Sequence, residues 1–148
     1  LVGSEMCIRD SYIIIDTPPA LGVLLLNALT FADTVIVPIT AERYSLQGLS
    51  QFMETVNAAQ EYTNPNLTIS GLLLTRYNGR TNLSKEVAEG MPQIADQLNT
   101  IVFDTQIRES VATKEAQALR KSLYSHAASS TTAKDYLAFV DELIKRGI

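Results

Sequence analysis

Apolar residues are distributed along this chain in two alternating rhythms. Tyr12-Ile13-Ile14-Ile15 is a short unbroken apolar run rich in β-branched side chains, the pattern of a strand covered on both faces. Thr34 to Ile39 (TVIVPI) and Leu67 to Leu74 (LTISGLLL) repeat it, and Thr100 to Phe103 (TIVF) is a shorter fourth run. Between these runs the spacing changes to that of a helix. Leu21, Leu24, Leu25, Ala28, Leu29 and Ala32 share one helical face, and Leu46, Leu49, Met53 and Val56 another. Leu83, Val87, Ile94 and Leu98 predict a third helix, with Gly90 and Pro92 inside it. Proline in a helix interior costs roughly 3 kcal/mol, so a kink or break is expected near Gly90.

Ala133, Tyr136, Leu137, Val140, Leu143 and Ile144 predict a last helix, and Thr132 with Asp135 has the spacing of a capping box for it. Strands alternating with helices of this length predict right-handed βαβ units. The expected fold class is α/β, a partial doubly wound parallel sheet with flanking helices.

Composition adds bounds rather than detail. The 148 residues are 46% hydrophobic, which suits one ordinary soluble domain. The most apolar stretch, Leu21 to Ala32, is interrupted by Asn27 and Thr30, so no membrane partner is expected. The sequence shows no signal-peptide pattern, which makes a cytoplasmic location the expectation. Cys7 is the single cysteine, which rules out a disulfide within the chain. A net charge of −4 argues against a wholesale polyanion binder and leaves room for a local basic patch.

The opening residues, LVGSEMCIRDS, follow neither rhythm. They resemble one reading frame of the transposase adaptor used to build shotgun sequencing libraries. Residues 1–11 are therefore expected to be a non-native leader, with the natural N-terminal part missing and 12–148 forming the C-terminal part of a domain.

In open α/β sheets, ligands bind outside the carboxyl ends of the strands. Four loops occupy such positions: DTPPALG, TAERYSLQG, TRYNGRTNLS and DTQIRESVATKE. Asp16, behind a run of apolar residues, has the Walker B pattern, in which a strand-end carboxylate helps hold Mg2+ against nucleotide phosphates through water. The same pattern is met where an Asp merely caps a turn. No G-x-x-x-x-G-K-[ST] phosphate loop occurs in the sequence. His126 has no cysteine or second histidine in range for a metal site, and reads as a surface or loop residue. Tyr44, Tyr62, Tyr77 and Tyr124 lack the spacing of a nucleic-acid stacking platform and read as packing residues.

IIIDTPPALG, then NALTFADTVIVPITAERYSLQGLSQFMETV, then GLLLTRYNGRTNLSKEV closely resemble the ParA/MinD family of deviant Walker ATPases, nearest to its Soj-like partition proteins. The resemblance covers Tyr12 to Ile148 and is densest up to Val87. It implies the C-terminal part of a P-loop NTPase domain, ATP and Mg2+ as cofactors, and a nucleotide-sandwich homodimer. It further implies non-specific DNA binding at the nucleoid and a ParB-type partner that stimulates hydrolysis.

Residue by residue, Asp16 matches the Walker B acid, and Thr17, Pro18, Pro19 and Gly22 fall in the segment that senses the γ-phosphate. Thr75 and Arg76 match positions near the adenine. Ile107 and Arg108 lie where the family has Ile-Pro on the other side of the base, so Arg108 replaces a proline; an arginine plane can stack on a base. Arg80 matches a position used against DNA phosphates, with Lys85 close by. Ala112 stands where the family has a second DNA-contacting arginine, and Lys114, Arg120 and Lys121 are candidates to compensate.

Three rival readings accompany this one. A phosphorylatable receiver domain also has a strand-end Asp followed by proline and glycine, but needs a Lys-Pro where this chain has Thr75-Arg76. A MinD-like protein would end in a membrane helix rich in Lys and Arg. The polar face of AKDYLAFVDELIKRGI is instead mixed in charge, so core packing is expected of it. Without a phosphate loop, the chain alone is expected to be a binding module that does not hydrolyse ATP.

Overall fold

The computed structural model describes residues 12–18, 20–42 and 45–148, and for 45–47 the backbone alone. Expectations for residues 1–11, Pro19, Tyr44 and the side chain of Leu46 lie outside the described residues. The elements in chain order are α1 (Val23–Phe31), β1 (Thr34–Thr40), α2 (Ser45–Tyr62), β2 (Thr68–Thr75), α3 (Asn82–Gln97), α4 (Val111–Ala118), α5 (Leu123–Ala127) and α6 (Thr131–Arg146).

β1 and β2 pair in parallel from Thr34↔Thr68 to Thr40↔Thr75, with one irregularity between Val35 and Ile36. A parallel pair needs a crossover, and α2 supplies it. Alternate strand residues point to opposite faces. Val37, Ile39, Leu72 and Leu74 meet Leu25 and Leu29 of α1, Leu49, Met53 and Val56 of α2, and Val87, Met91 and Ala95 of α3. Leu73 points the other way, into a smaller cluster with Phe103, Ile107 and Phe139 of α6, against which Ile36 and Leu143 pack. Helices therefore cover both faces of the sheet, as the doubly wound expectation requires.

Two expected strands do not form. Tyr12–Ile15 is in no sheet, and its side chains are exposed, Ile14 by 93%. A strand needs a hydrogen-bonding neighbour, and among the described residues β1 pairs only with β2. Thr100–Phe103 contributes a single parallel bridge, Leu72↔Val102. Its ladder stops because the next N–H facing β2, that of Thr105, donates instead to the Glu142 carboxylate of α6, as does the Asp104 N–H on the other side, each at 2.9 Å.

α3 begins on Thr81, whose hydroxyl accepts from the Ser84 N–H, and runs without a break through Gly90 and Pro92. Pro92 is exposed, while Val87 and Met91 before it and Ala95 after it are buried. The packed stripe carries the helix past its missing hydrogen bond, contrary to the expected interruption. The expected capping box of α6 is also corrected: Ser130 is the cap, its hydroxyl accepting from the Ala133 N–H.

The face of α6 that packs is rotated from the apolar stripe read in the sequence. Thr132, Ala133, Asp135 and Phe139 are buried, whereas Tyr136, Leu137, Val140 and Ile144 are exposed. Phe103 sets this orientation. Its ring meets Phe139 edge-on at 5.0 Å and lies against Gly71, where a Cβ would come within 2.7 Å of it.

Candidate functional site

The carboxyl ends of both strands and the loop before α4 converge at one edge of the sheet. Thr75 closes β2, its hydroxyl donating to the Ile39 carbonyl, while the Ala41 N–H donates back to the Thr75 carbonyl, each at 3.2 Å. Beyond Thr75 the chain stays in register with residues 107–109. The Ile107 N–H donates to Leu74 O (2.9 Å), Tyr77 N–H to Ile107 O (3.0 Å) and Glu109 N–H to Tyr77 O (3.1 Å). These bonds bring Thr75 and Arg76 beside Ile107 and Arg108, four residues singled out in the sequence from two separate loops. Ile107 is 3% exposed and packs in the cluster of Leu73, Phe103 and Phe139. Its side chain, like those of Thr75 and Arg76, is not among those that line the cleft beside Arg108.

Arg76 adopts a left-handed backbone, φ 52°, which costs a non-glycine residue energy and turns the chain sharply at the strand end. Its guanidinium pairs with Glu42 after β1 at 3.0 Å and faces Glu109 at 3.8 Å. Both Arg76 and Glu42 are more than half exposed, so this pair contributes little to stability. Lys114 of α4 pairs with Glu109 at 2.8 Å; its hydrogen bond, then its charge, hold the Glu109 carboxyl below the usual range.

Arg108 is held on three sides. Its backbone N–H and Nε both donate to Asp135 Oδ2 at 3.1 and 2.9 Å, and Nη2 donates to Oδ1 at 2.5 Å. Its carbonyl accepts from the Thr132 hydroxyl at 3.2 Å. Burial alone would raise the Asp135 pKa, but the side-chain and backbone hydrogen bonds from Arg108, with its charge, outweigh that and hold the carboxyl below its usual value. The Arg108 pKa is raised, by the hydrogen bond and charge of Asp135.

A cleft of about 630 Å3 opens beside this clasp, lined by Tyr77, Asn78, Arg80, Arg108, Glu109 and Lys114 among others. Its charged lining is three cations and the Glu109 carboxylate. Arg108 is engaged by Asp135 and Lys114 by Glu109, and the Tyr77 phenol adds an aromatic contact, a mixed lining that suits a ligand with both polar and aromatic parts. Arg80 reaches this lining through the Asn78 turn, its N–H donating to Asn78 Oδ1. Lys85 sits exposed in the first turns of α3 and is not part of the cleft wall.

The other half of the expected constellation lies apart. Asp16 and Pro18 are exposed, Thr17 is half-buried, and Gly22 is the N-cap of α1 with extended backbone. Among the described residues no hydrogen bond or ion pair joins Asp16 or Thr17 to Thr75, Arg76, Ile107 or Arg108. Nor do the described residues gather three or more Asp, Glu, His or Cys side chains for a metal ion. A Mg2+ ion suits such a site only where ligand phosphates and water complete its shell beside one carboxylate.

Sequence reasoning missed Tyr77, Thr132 and Asp135. The available signal was an acidic residue inside the apolar stripe of the last helix, together with an arginine replacing a proline. His126 stands on α5 with Nε2 3.3 Å from Glu115, half-buried rather than in a loop.

The chain is similar to known proteins in sequence and in fold. The AAA domain family matches residues 7–69. The chain is 37% identical over 135 residues to the chromosome partitioning protein ParA of Myxococcus xanthus, covering 91% of this chain and 47% of that one. It is 39% identical over 136 residues to the sporulation initiation inhibitor protein Soj of Bacillus subtilis, covering 92% and 53%. The chain thus spans about half the length of the curated relatives it matches. Among solved structures, cobyrinic acid a,c-diamide synthase of Mycobacterium smegmatis superposes with a TM-score of 0.67 at 34% identity, over 88% of this chain and 45% of that one. The same enzyme with bound ADP and magnesium superposes with a TM-score of 0.56 at 40% identity, over 64% and 38%. In sequence along nearly its whole length the chain is a homologue of the ParA/Soj proteins, with the α/β fold of P-loop domains.

Proposed function

We propose that this chain is the Walker B and base-binding part of a DNA-partitioning ATPase. The observation that carries the reading is the paired run of Thr75–Tyr77 against Ile107–Glu109, which brings two separated loops to one cleft at the carboxyl ends of the strands. In this reading Ile107, Arg108, Thr75 and Arg76 hold the adenine of ATP. Asp16 holds Mg2+ through water, and Thr17, Pro18, Pro19 and Gly22 follow the γ-phosphate. The bound Mg2+ would supply charge neutralisation of the phosphates.

Arg80 and Lys85 contact DNA phosphates. The intact protein works as an ATP-dependent homodimer on DNA at the nucleoid, with a ParB-type partner. Among the described residues no helix is long and apolar enough to cross a membrane. The family relationship and the cleft lined by Tyr77 and Arg108 support this reading.

ATP turnover tests it. The chain alone, which contains no phosphate loop, is expected to show none above background. Joined to a phosphate-loop segment from its own gene, it is expected to hydrolyse ATP, and Asp16→Asn to abolish that activity. Turnover that survives Asp16→Asn in the joined protein would overturn the Walker B assignment. Turnover by the chain alone would overturn the division of labour.

A further inference from the structure

We infer that Asp135 is a positioning residue that presents the Arg108 guanidinium, flat and fixed, as one wall of a site for a heteroaromatic base. The inference rests on the nucleotide reading above and deepens it. The expected family pattern has proline after the isoleucine, a rigid apolar surface. Arginine alone is a poor substitute, because a free side chain loses rotamer freedom on binding.

Asp135 removes that difficulty before any ligand arrives. Its two oxygens take Nε and Nη2 of Arg108 at 2.9 and 2.5 Å, a fork that fixes the guanidinium plane. The backbone is pinned as well, by Asp135 Oδ2 on the N–H and Thr132 Oγ1 on the carbonyl. All four hydrogen bonds come from the first turns of α6. The Asp135 side chain is only 10% exposed, while that of Arg108 is 50% exposed, so the clasp is buried on one side and presents arginine on the other.

That open half lines the cleft with Tyr77 and Asn78. A guanidinium engaged along one edge keeps both faces of its plane, and stacking on an aromatic heterocycle uses a face. Lysine at 108 would keep the charge and lose the plane. The pair therefore separates two roles that a bare cation would merge: base stacking from phosphate attraction.

Adenosine and ribose 5-phosphate are the probes, because a nucleoside needs no phosphate loop and a sugar phosphate has no base. Each is titrated by saturation-transfer NMR into the chain and into Arg108→Lys, Arg108→Ala and Asp135→Asn, with folding checked by circular dichroism. Adenosine is expected to bind the unaltered chain, and both Arg108 variants to weaken it roughly tenfold or more, the order of one base–side-chain stack. Asp135→Asn is expected to weaken adenosine by a smaller factor, roughly threefold, since it loosens the wall without removing it. Arg108→Lys and Asp135→Asn should leave ribose 5-phosphate unchanged, whereas a purely structural role would weaken both probes together.

If Asp135→Asn does not fold, Arg108→Lys decides. Adenosine binding unchanged in Arg108→Lys overturns the inference while the base site stands. No adenosine binding by the unaltered chain overturns the base site and the inference with it.

Discussion

Phe103 joins the cleft-bearing loop to both the sheet and the last helix, and its removal tests how the site is held. The ring is 2% exposed, meets Phe139 edge-on at 5.0 Å, and lies over Gly71. Truncating a buried phenylalanine to alanine costs about 3–5 kcal/mol, and the edge-to-face pair accounts for about 0.5–1.5 kcal/mol of such losses. The upper half of that range applies here, because the residue beneath the ring is glycine and has no side chain to relax into the space. A loss of about 4 kcal/mol is therefore expected for Phe103→Ala.

Urea unfolding followed by far-UV circular dichroism reads it. With a slope of about 2 kcal/mol per molar urea, the midpoint should fall by about 2 M. If Phe103→Ala is already unfolded in water, the milder Phe103→Leu is read instead, with a smaller shift in the same direction. A Phe103→Ala loss under about 1 kcal/mol would refute the reasoning, since such a ring could not be the joint between sheet, loop and helix.

Gly71→Ala should cost about 1–3 kcal/mol in the unaltered chain, because its Cβ would come within 2.7 Å of the Phe103 ring. In a Phe103→Ala background the same substitution should cost almost nothing, and equal costs in the two backgrounds would sink this packing. Acid should destabilise the chain through Asp135 and Glu142. Burial raises both carboxyls, but hydrogen bonds outweigh it, from Arg108 for Asp135 and from Thr105, Asp104 and Arg146 for Glu142, leaving both below their ordinary values. Carboxyls depressed in the folded state stabilise it above the unfolded pKa of about 4, and that stability is lost as pH falls through the folded values. Stability should therefore decline below about pH 4, and Glu142→Gln should flatten that decline; an acid limb identical in Glu142→Gln would remove Glu142 from the account.

What could be read from the sequence followed from what each residue can settle locally. TVIVPI and LTISGLLL became β1 and β2 because each finds the other across a helical crossover, and backbone hydrogen bonds set Thr75 and Arg76 beside Ile107 and Arg108. Tyr12–Ile15 has equal strand character but no partner among the described residues, and β-structure is a property of pairs. Thr100–Phe103 failed for a different reason: a carboxylate 37 residues from Thr105, Glu142, takes the N–H that would extend its ladder. No local pattern announces such a competitor. Asp135 reads as a cap by its spacing to Thr132, yet Ser130 caps the helix, which leaves the Asp135 carboxylate for Arg108. Its role depends on an arginine 27 residues away, outside the reach of any helical periodicity.

The most direct test of the central claim is to sequence the source DNA across the codons preceding Tyr12. The account predicts that the text LVGSEMCIRDS disappears and that an in-frame G-x-x-x-x-G-K-[ST]-type loop lies upstream, supplying the phosphate-binding half that Asp16 and the base cleft require. Finding LVGSEMCIRDS as genuine coding sequence with no such loop before it would contradict the partition-ATPase reading and leave the chain a binding module.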